Sequence, residues 1–127
     1  MLLRIAIPTV DGQFSPHFGK CDGLYICEFN PQTRVVVNPR IVTRPAHTKL
    51  HDLGHMLLEL SVDMVLGGGM NPNTVANLES VGIDCCLGMS GKTPLDVLHN
   101  YDHNPDQERS NICPGVQNPN YQCKYDC

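Results

Sequence analysis

The sequence predicts an α/β domain in which a mixed five-stranded sheet carries three flanking helices, in the order βββαβαβα. Three observations predict it. The N-terminal third holds β-prone runs separated by turn residues. From Thr48 onward, apolar residues recur at helical spacing in segments that alternate with short apolar runs. Both of those runs end in glycine, and the helix after each opens on a polar cap followed by proline.

Leu2 to Ile7 is a β-prone run ended by Pro8, and a polar, glycine-containing stretch follows from Thr9 to Asp22. Leu24 to Phe29 reads as the second strand. Asn30-Pro31-Gln32-Thr33 is its turn, and Val35-Val36-Val37 pairs back as a hairpin partner, so the chain opens as an antiparallel meander. Thr48 is positioned to cap a helix over about 49–60, with Leu50, Leu53, Leu57 and Leu60 as its apolar stripe. Val62 to Leu66 has the length of a buried strand and ends at Gly67-Gly68-Gly69. Asn71-Pro72 opens a helix that carries Val75, Leu78 and Val81 inward. Ile83 to Leu87 is the last strand. Thr93-Pro94 opens a third helix with Leu95 and Leu98 inward, expected to fray before His103. The strand–helix–strand connection makes the last two strands parallel. After about Tyr101 the sequence turns polar, with Ile112 and Val116 the aliphatic residues left, so residues 1–100 are expected to form the domain and 101–127 a largely irregular tail.

A chain of 127 residues, 41% of them hydrophobic, is enough for one core. Nine Lys and Arg against thirteen Asp and Glu give a net charge of −4, which leaves no broad basic face for nucleic acid. An anion would have to be held by a local device. No uninterrupted apolar run reaches the length of a membrane span. The N-terminus has neither a basic leader nor a cleavage site, so the cytoplasm is the expected compartment. The seven cysteines are then thiols or metal ligands and not a disulfide framework.

The glycine run Gly67-Gly68-Gly69 and the loop Gly88-Met89-Ser90-Gly91 each follow a strand and precede a capped helix. In open α/β sheets ligands bind beyond the carboxyl ends of parallel strands, where glycine lets backbone approach and helix N-termini attract anions. Two such loops side by side make an anion cradle with Asn71 at its rim; they are equally the tight turns that any strand-to-helix connection needs. Gly91-Lys92-Thr93 is not a phosphate loop, because the pattern requires glycine where Cys86 stands. His47, His51 and His55 are spaced by four, which puts His51 and His55 on one helix face as metal ligands or as a solvated polar face. Cys85 and Cys86 point to opposite sides of their strand, one of them into the core. Cys113, Cys123 and Cys127 lack the close pairing of a zinc ribbon, though as soft thiolates they could add to a metal site.

Ile5-Ala6-Ile7-Pro8, then Ser15-Pro16-His17-Phe18-Gly19, then Asp63-Met64-Val65-Leu66-Gly67-Gly68-Gly69-Met70, then Gly82-Ile83, resembles the dinitrogenase iron–molybdenum cofactor biosynthesis family. That family includes carriers of nitrogenase cofactor assembly and the orange protein of sulfate reducers, and the likeness spans about residues 1 to 100. The resemblance implies a ribonuclease-H-like sheet without the acidic nuclease site. It implies a metal–sulfur cofactor or precursor containing molybdenum with iron or copper, and a protein partner in cluster assembly. Its most specific parts are His17-Phe18-Gly19 and Gly67-Gly68-Gly69; with the Ser90-Gly91 loop they are the expected binding residues, and His17 and His51 are expected to coordinate or donate hydrogen bonds. The cysteine-containing tail departs from the family's usual short ending.

The leading reading is therefore a non-enzymatic carrier of an anionic metal–sulfur cofactor. A regulatory or protein-interaction domain with inert histidines is the alternative. A redox enzyme using Cys21, Cys85 or Cys86 is the third reading, weakened because none lies in a C-x-x-C or helix-start position.

Overall fold

Strand β1 (Leu3–Val10) is the seam of the fold, with an antiparallel neighbour on one side and a parallel one on the other. The computed structural model describes residues 2–45 and 48–103. Besides β1, the elements are β2 (Gln13–Phe14), a single 3-10 turn (Phe18–Lys20), β3 (Gly23–Asn30), β4 (Val35–Thr43), α1 (Leu50–Glu59), β5 (Met64–Leu66), α2 (Pro72–Ser80), β6 (Asp84–Cys86) and α3 (Pro94–His103). The sheet runs β4-β3-β1-β5-β6, with β2 paired to β1 off this path. The expected five strands and three helices are present, in a ribonuclease-H-like mixed sheet.

The meander is antiparallel throughout, with Ile5 opposite Cys27 and Tyr25 opposite Ile41. Its turn is set by Asn30, whose side-chain oxygen accepts from the amides of Gln32 (2.9 Å) and Thr33 (3.2 Å). The parallel half is in register as Ile5–Met64 and Val65–Cys85. Ile5, Ile7, Ile26, Leu53, Leu57, Val65 and Leu66 are fully buried and form the centre of the core.

Several local expectations are corrected. A two-residue strand, β2, folds back on β1 through Asp11-Gly12, both with positive φ; so short a run carries no periodicity. β4 continues to Thr43, past an irregularity where Asn38 has φ 59° and the register shifts. The cap of α1 is Lys49 and not Thr48, because the Thr48 hydroxyl turns back to the Pro45 carbonyl at 2.5 Å while Asp52 accepts from the Lys49 amide at 3.3 Å. Leu95 is exposed; the inward face of α3 is Pro94, Val97, Leu98 and Tyr101, the set that a 3.6-residue period joins. That helix also runs on to His103. Val81 falls at the end of α2 and is exposed, although Val75 and Leu78 are buried as expected. Cys85 and Cys86 are both buried. His47 and the tail from residue 104, with Cys113, Cys123 and Cys127, lie outside the described residues.

Candidate functional site

Three chain segments meet at the carboxyl ends of β1, β5 and β6. The segment after β1 runs Ser15-Pro16-His17-Phe18-Gly19. It is stitched to the glycine run as a short parallel extension of the sheet, with His17 opposite Gly69. The Gly69 amide donates to the Pro16 carbonyl at 2.7 Å, and the Phe18 amide donates to the Gly69 carbonyl at 3.2 Å. Phe18 is fully buried and anchors the loop in the core. Ser15, also buried, donates its hydroxyl to the His17 carbonyl (2.9 Å) and accepts from the His17 amide (3.3 Å). The backbone of His17 is thereby fixed, with its ring half-buried at the rim.

The glycine run is equally tied on its other side. The Gly67 amide donates to the Cys86 carbonyl, and the Gly88 and Met89 amides donate to the Gly68 and Gly67 carbonyls. Two of the three amides in the run, those of Gly67 and Gly69, are thus engaged by the protein itself. A Cβ on Gly68 would lie 2.8 Å from the Pro16 carbonyl oxygen, and one on Gly91 would lie 2.9 Å from the Asp96 Cβ. Both positions need glycine for internal packing.

The helix starts are also occupied. The Asn71 side chain accepts from the Asn73 amide at 2.8 Å. At α3 the Asp96 carboxylate accepts from the amides of Lys92 (3.3 Å) and Thr93 (3.1 Å), while Thr93 Oγ1 accepts from the Asp96 amide. Those hydrogen bonds hold the Asp96 carboxyl below its ordinary value. The Ser90 carbonyl accepts from the Asn100 side chain at 2.7 Å, which ties that loop to α3.

Arg44 is a positioning residue that carries no signal in the sequence, because a single arginine after a strand forms no pattern. Its Nη1 donates to the carbonyls of Gly19 (2.9 Å) and Cys21 (3.0 Å), and its Nη2 to that of Thr48 (2.6 Å). It clips the turn after His17 to the start of α1. Lys20 and Lys49 are therefore each next in sequence to a carbonyl that Arg44 holds. Lys92 belongs to the same edge, since its carbonyl accepts from the Phe14 amide at 2.9 Å. All three lysines are exposed. Carboxylates share this edge: Asp22 follows Cys21, Asp52 accepts from the Lys49 amide and Asp96 from the Lys92 amide, while Glu59, Asp63, Glu79 and Asp84 stand with Arg4 at the opposite edge.

His51 lies in the first turn of α1. His55 is exposed and lines a shallow apolar cleft between α1 and α2 with Gly54, Leu58, Asn77, Leu78 and Val81. Among the described residues, no three His, Cys, Asp or Glu side chains gather in a metal-holding group. Burial raises the Cys21 thiol, against the pull of the Arg44 guanidinium, and pushes Cys27 up to about 11. Neither is an activated thiolate.

The dinitrogenase iron–molybdenum cofactor family matches residues 1–104, which takes in the whole of this arrangement. The chain belongs to that family. An uncharacterized protein of Methanocaldococcus jannaschii, MJ0580, is 25% identical over 87 residues, covering 65% of this chain and 72% of its own. Among solved structures, PH0822 superposes with a TM-score of 0.71 at 24% identity, over 80% of this chain and 89% of that one. The apo form of the orange protein from Desulfovibrio gigas gives 0.59 at 20% identity, over 85% and 91%. These likenesses establish the fold, and membership ties the chain to metal-cofactor handling in general. Among the described residues, no helix is long and apolar enough to cross a membrane.

Proposed function

We propose that this chain carries an anionic metal–sulfur cofactor or its precursor, holding it at the carboxyl edge of the sheet and delivering it to a recipient protein in cluster assembly in the cytoplasm. The cargo is a sulfide of molybdenum with iron or copper, and the protein is a carrier and not an enzyme. The observation that carries this reading is the charge at that edge. A chain of net charge −4 places its described lysines, Lys20, Lys49 and Lys92, around the loops that hold His17 and the glycine run, and the neighbouring Asp52 and Asp96 carboxylates are turned onto backbone amides. Cations on an otherwise acidic protein draw in an anion and leave nucleic acid without a continuous surface.

In this reading His17, Phe18 and Gly19 form one wall of the site, and the Gly67-Gly68-Gly69 run its floor. Ser90 and Gly91 form the opposite lip, and Asn71 presents its amide nitrogen. His47, His51 and His55 are proposed as direct metal ligands, with His55 reached only from the α1–α2 cleft. The glycines act by letting the protein's own loops close up, which fixes the walls before any cargo arrives.

Equilibrium dialysis against tetrathiomolybdate under anaerobic conditions tests the proposal. Uptake should fall as salt rises, because exposed charges are screened. It should fall several-fold further when Lys20 and Lys92 are changed together to glutamine. A folded protein that takes up no thiomolybdate, or takes it up regardless of salt and lysines, returns the chain to the reading of an interaction domain without metal.

A further inference from the structure

The Cys86 Sγ lies 4.0 Å from the Met89 Sδ, with both residues buried at the carboxyl end of β6. Their spacing is held by backbone. The Cys86 carbonyl accepts from the Gly67 amide (2.8 Å), the Met89 amide donates to the Gly67 carbonyl (3.0 Å), and the Gly88 amide donates to the Gly68 carbonyl (2.8 Å). Gly88 itself has φ 75°, the left-handed conformation that turns residue 89 back toward residue 86.

We propose that Cys86 and Met89 form a binding site for monovalent copper. Thiolate and thioether are soft donors, and soft donors select Cu(I) over the divalent ions that prefer oxygen or nitrogen. The distance suits one shared ion: two metal–sulfur bonds of about 2.3 Å, the length in zinc thiolates, span this gap at an angle of roughly 120°. That is the angle of a three-coordinate ion with two positions supplied by the protein. Zinc in a structural site takes four ligands. Among the described residues no three His, Cys, Asp or Glu side chains come together to supply them. Binding replaces the Cys86 thiol proton, which leaves to solvent as the copper–sulfur bond forms, with no change of oxidation state. The site joins the end of β6 to the Gly88–Gly91 loop through Met89, and copper binding is measured without thiomolybdate.

The test uses Cu(I) alone, under anaerobic conditions, in competition with a chromogenic Cu(I) chelator. The protein is the full chain carrying Cys113→Ser, Cys123→Ser and Cys127→Ser, so that tail thiols do not contribute. One equivalent should bind, with only sulfur in the first shell of its X-ray absorption spectrum contributed by the protein. Met89→Leu, close in volume, should weaken binding at least tenfold, and Cys86→Ser should abolish it, whereas Cys21→Ser should leave it unchanged. Circular dichroism of each variant establishes that it is folded. Should the folded Met89→Leu variant hold copper as tightly as the background protein, the sulfur pair is core packing and the proposal fails. It fails equally if the background protein binds no copper.

Discussion

The carbonyl oxygen of Pro16 stands 2.8 Å from where a Cβ on Gly68 would be, and the Pro16 Cα is at 3.0 Å. Both are backbone atoms of the loop that presents His17, so a side chain at residue 68 must push that loop away from β5. Overpacking of this kind costs about 1–3 kcal/mol. Gly68→Ala should therefore lower the thermal midpoint by several degrees, on the order of 4–8 °C per kcal/mol for a domain near this size. The amides of Phe18 and Gly69 should exchange faster, since they span the contact. An unchanged midpoint with unchanged exchange would mean that the loop yields without loss. Gly67→Ala is the contrasting substitution, because its Cβ would meet only the Leu87 side chain, at 3.6 Å.

Arg44 holds three carbonyls from two segments. Hydrogen bonds to a charged group contribute roughly 1.5–3 kcal/mol in total effect when one such partner is removed. Arg44→Ala should destabilise the domain by an amount in that range and loosen the turn over Phe18–Lys20 together with the start of α1. Lysine places one ammonium where a planar fork is needed and should restore less than half of the loss. Denaturant unfolding of the parent and both variants measures this; equal stability of parent and lysine variant would reduce Arg44 to a point charge.

The buried thiols give an alkaline limit to stability. Cys27 is pushed up to about 11, and Cys21 is also raised, both chiefly by burial. A thiol raised in the folded state binds its proton more tightly there than in the unfolded chain. Its contribution is complete below the unfolded value of about 9 and is lost as pH climbs toward 11. Stability should be level from neutral pH to about 8.5 and then decline. Tyr25, raised mainly by burial with Cys27 adding to it, contributes to the same decline. Cys27→Ala should make the alkaline slope shallower while lowering stability at neutral pH. A slope that is the same in both proteins would assign the decline elsewhere.

The architecture is legible because periodicity changes sharply along this chain. Alternating runs give the meander, and helical spacing framed by Asn71-Pro72 and Thr93-Pro94 gives α2 and α3. Sequence and structure part where two local signals compete. Thr48 is a better cap than Lys49 by type, yet its hydroxyl finds the Pro45 carbonyl first. Leu95 is apolar, but Val97 and Tyr101 lie on the side of α3 that faces the sheet. At the site, glycine in the sequence reads as room for a ligand, whereas at residues 68 and 91 the room is filled by Pro16, Asp96 and Val97. Which atoms fill a glycine's space depends on contacts distant in sequence, and a pattern of residue types does not encode them. Arg44 is illegible for the same reason: its partners at residues 19, 21 and 48 become neighbours only after the meander has folded.

Asp96 gives the last prediction, which rests on the carrier reading. Its carboxylate occupies the amides of Lys92 and Thr93 at the start of α3, beside the Ser90-Gly91 lip. Those bonds keep its carboxyl depressed. The stabilisation they give is present above the unfolded value of about 3.8 and is lost as pH falls through the lower folded value. Asp96→Asn should therefore be less stable than the parent at neutral pH, and the two should converge in strong acid. The same substitution bears on cargo. An anion arriving at this edge meets a negative charge already resting on the helix N-terminus, the position where its own charge would be best placed. Asp96→Ala removes that charge and uncovers two amides. Thiomolybdate should then bind severalfold tighter, with a steeper dependence on salt, while Asp96→Asn falls between. Affinity unchanged by either substitution, in protein shown to be folded, would put the anion away from the start of α3 and leave the His17 side of the edge to hold it.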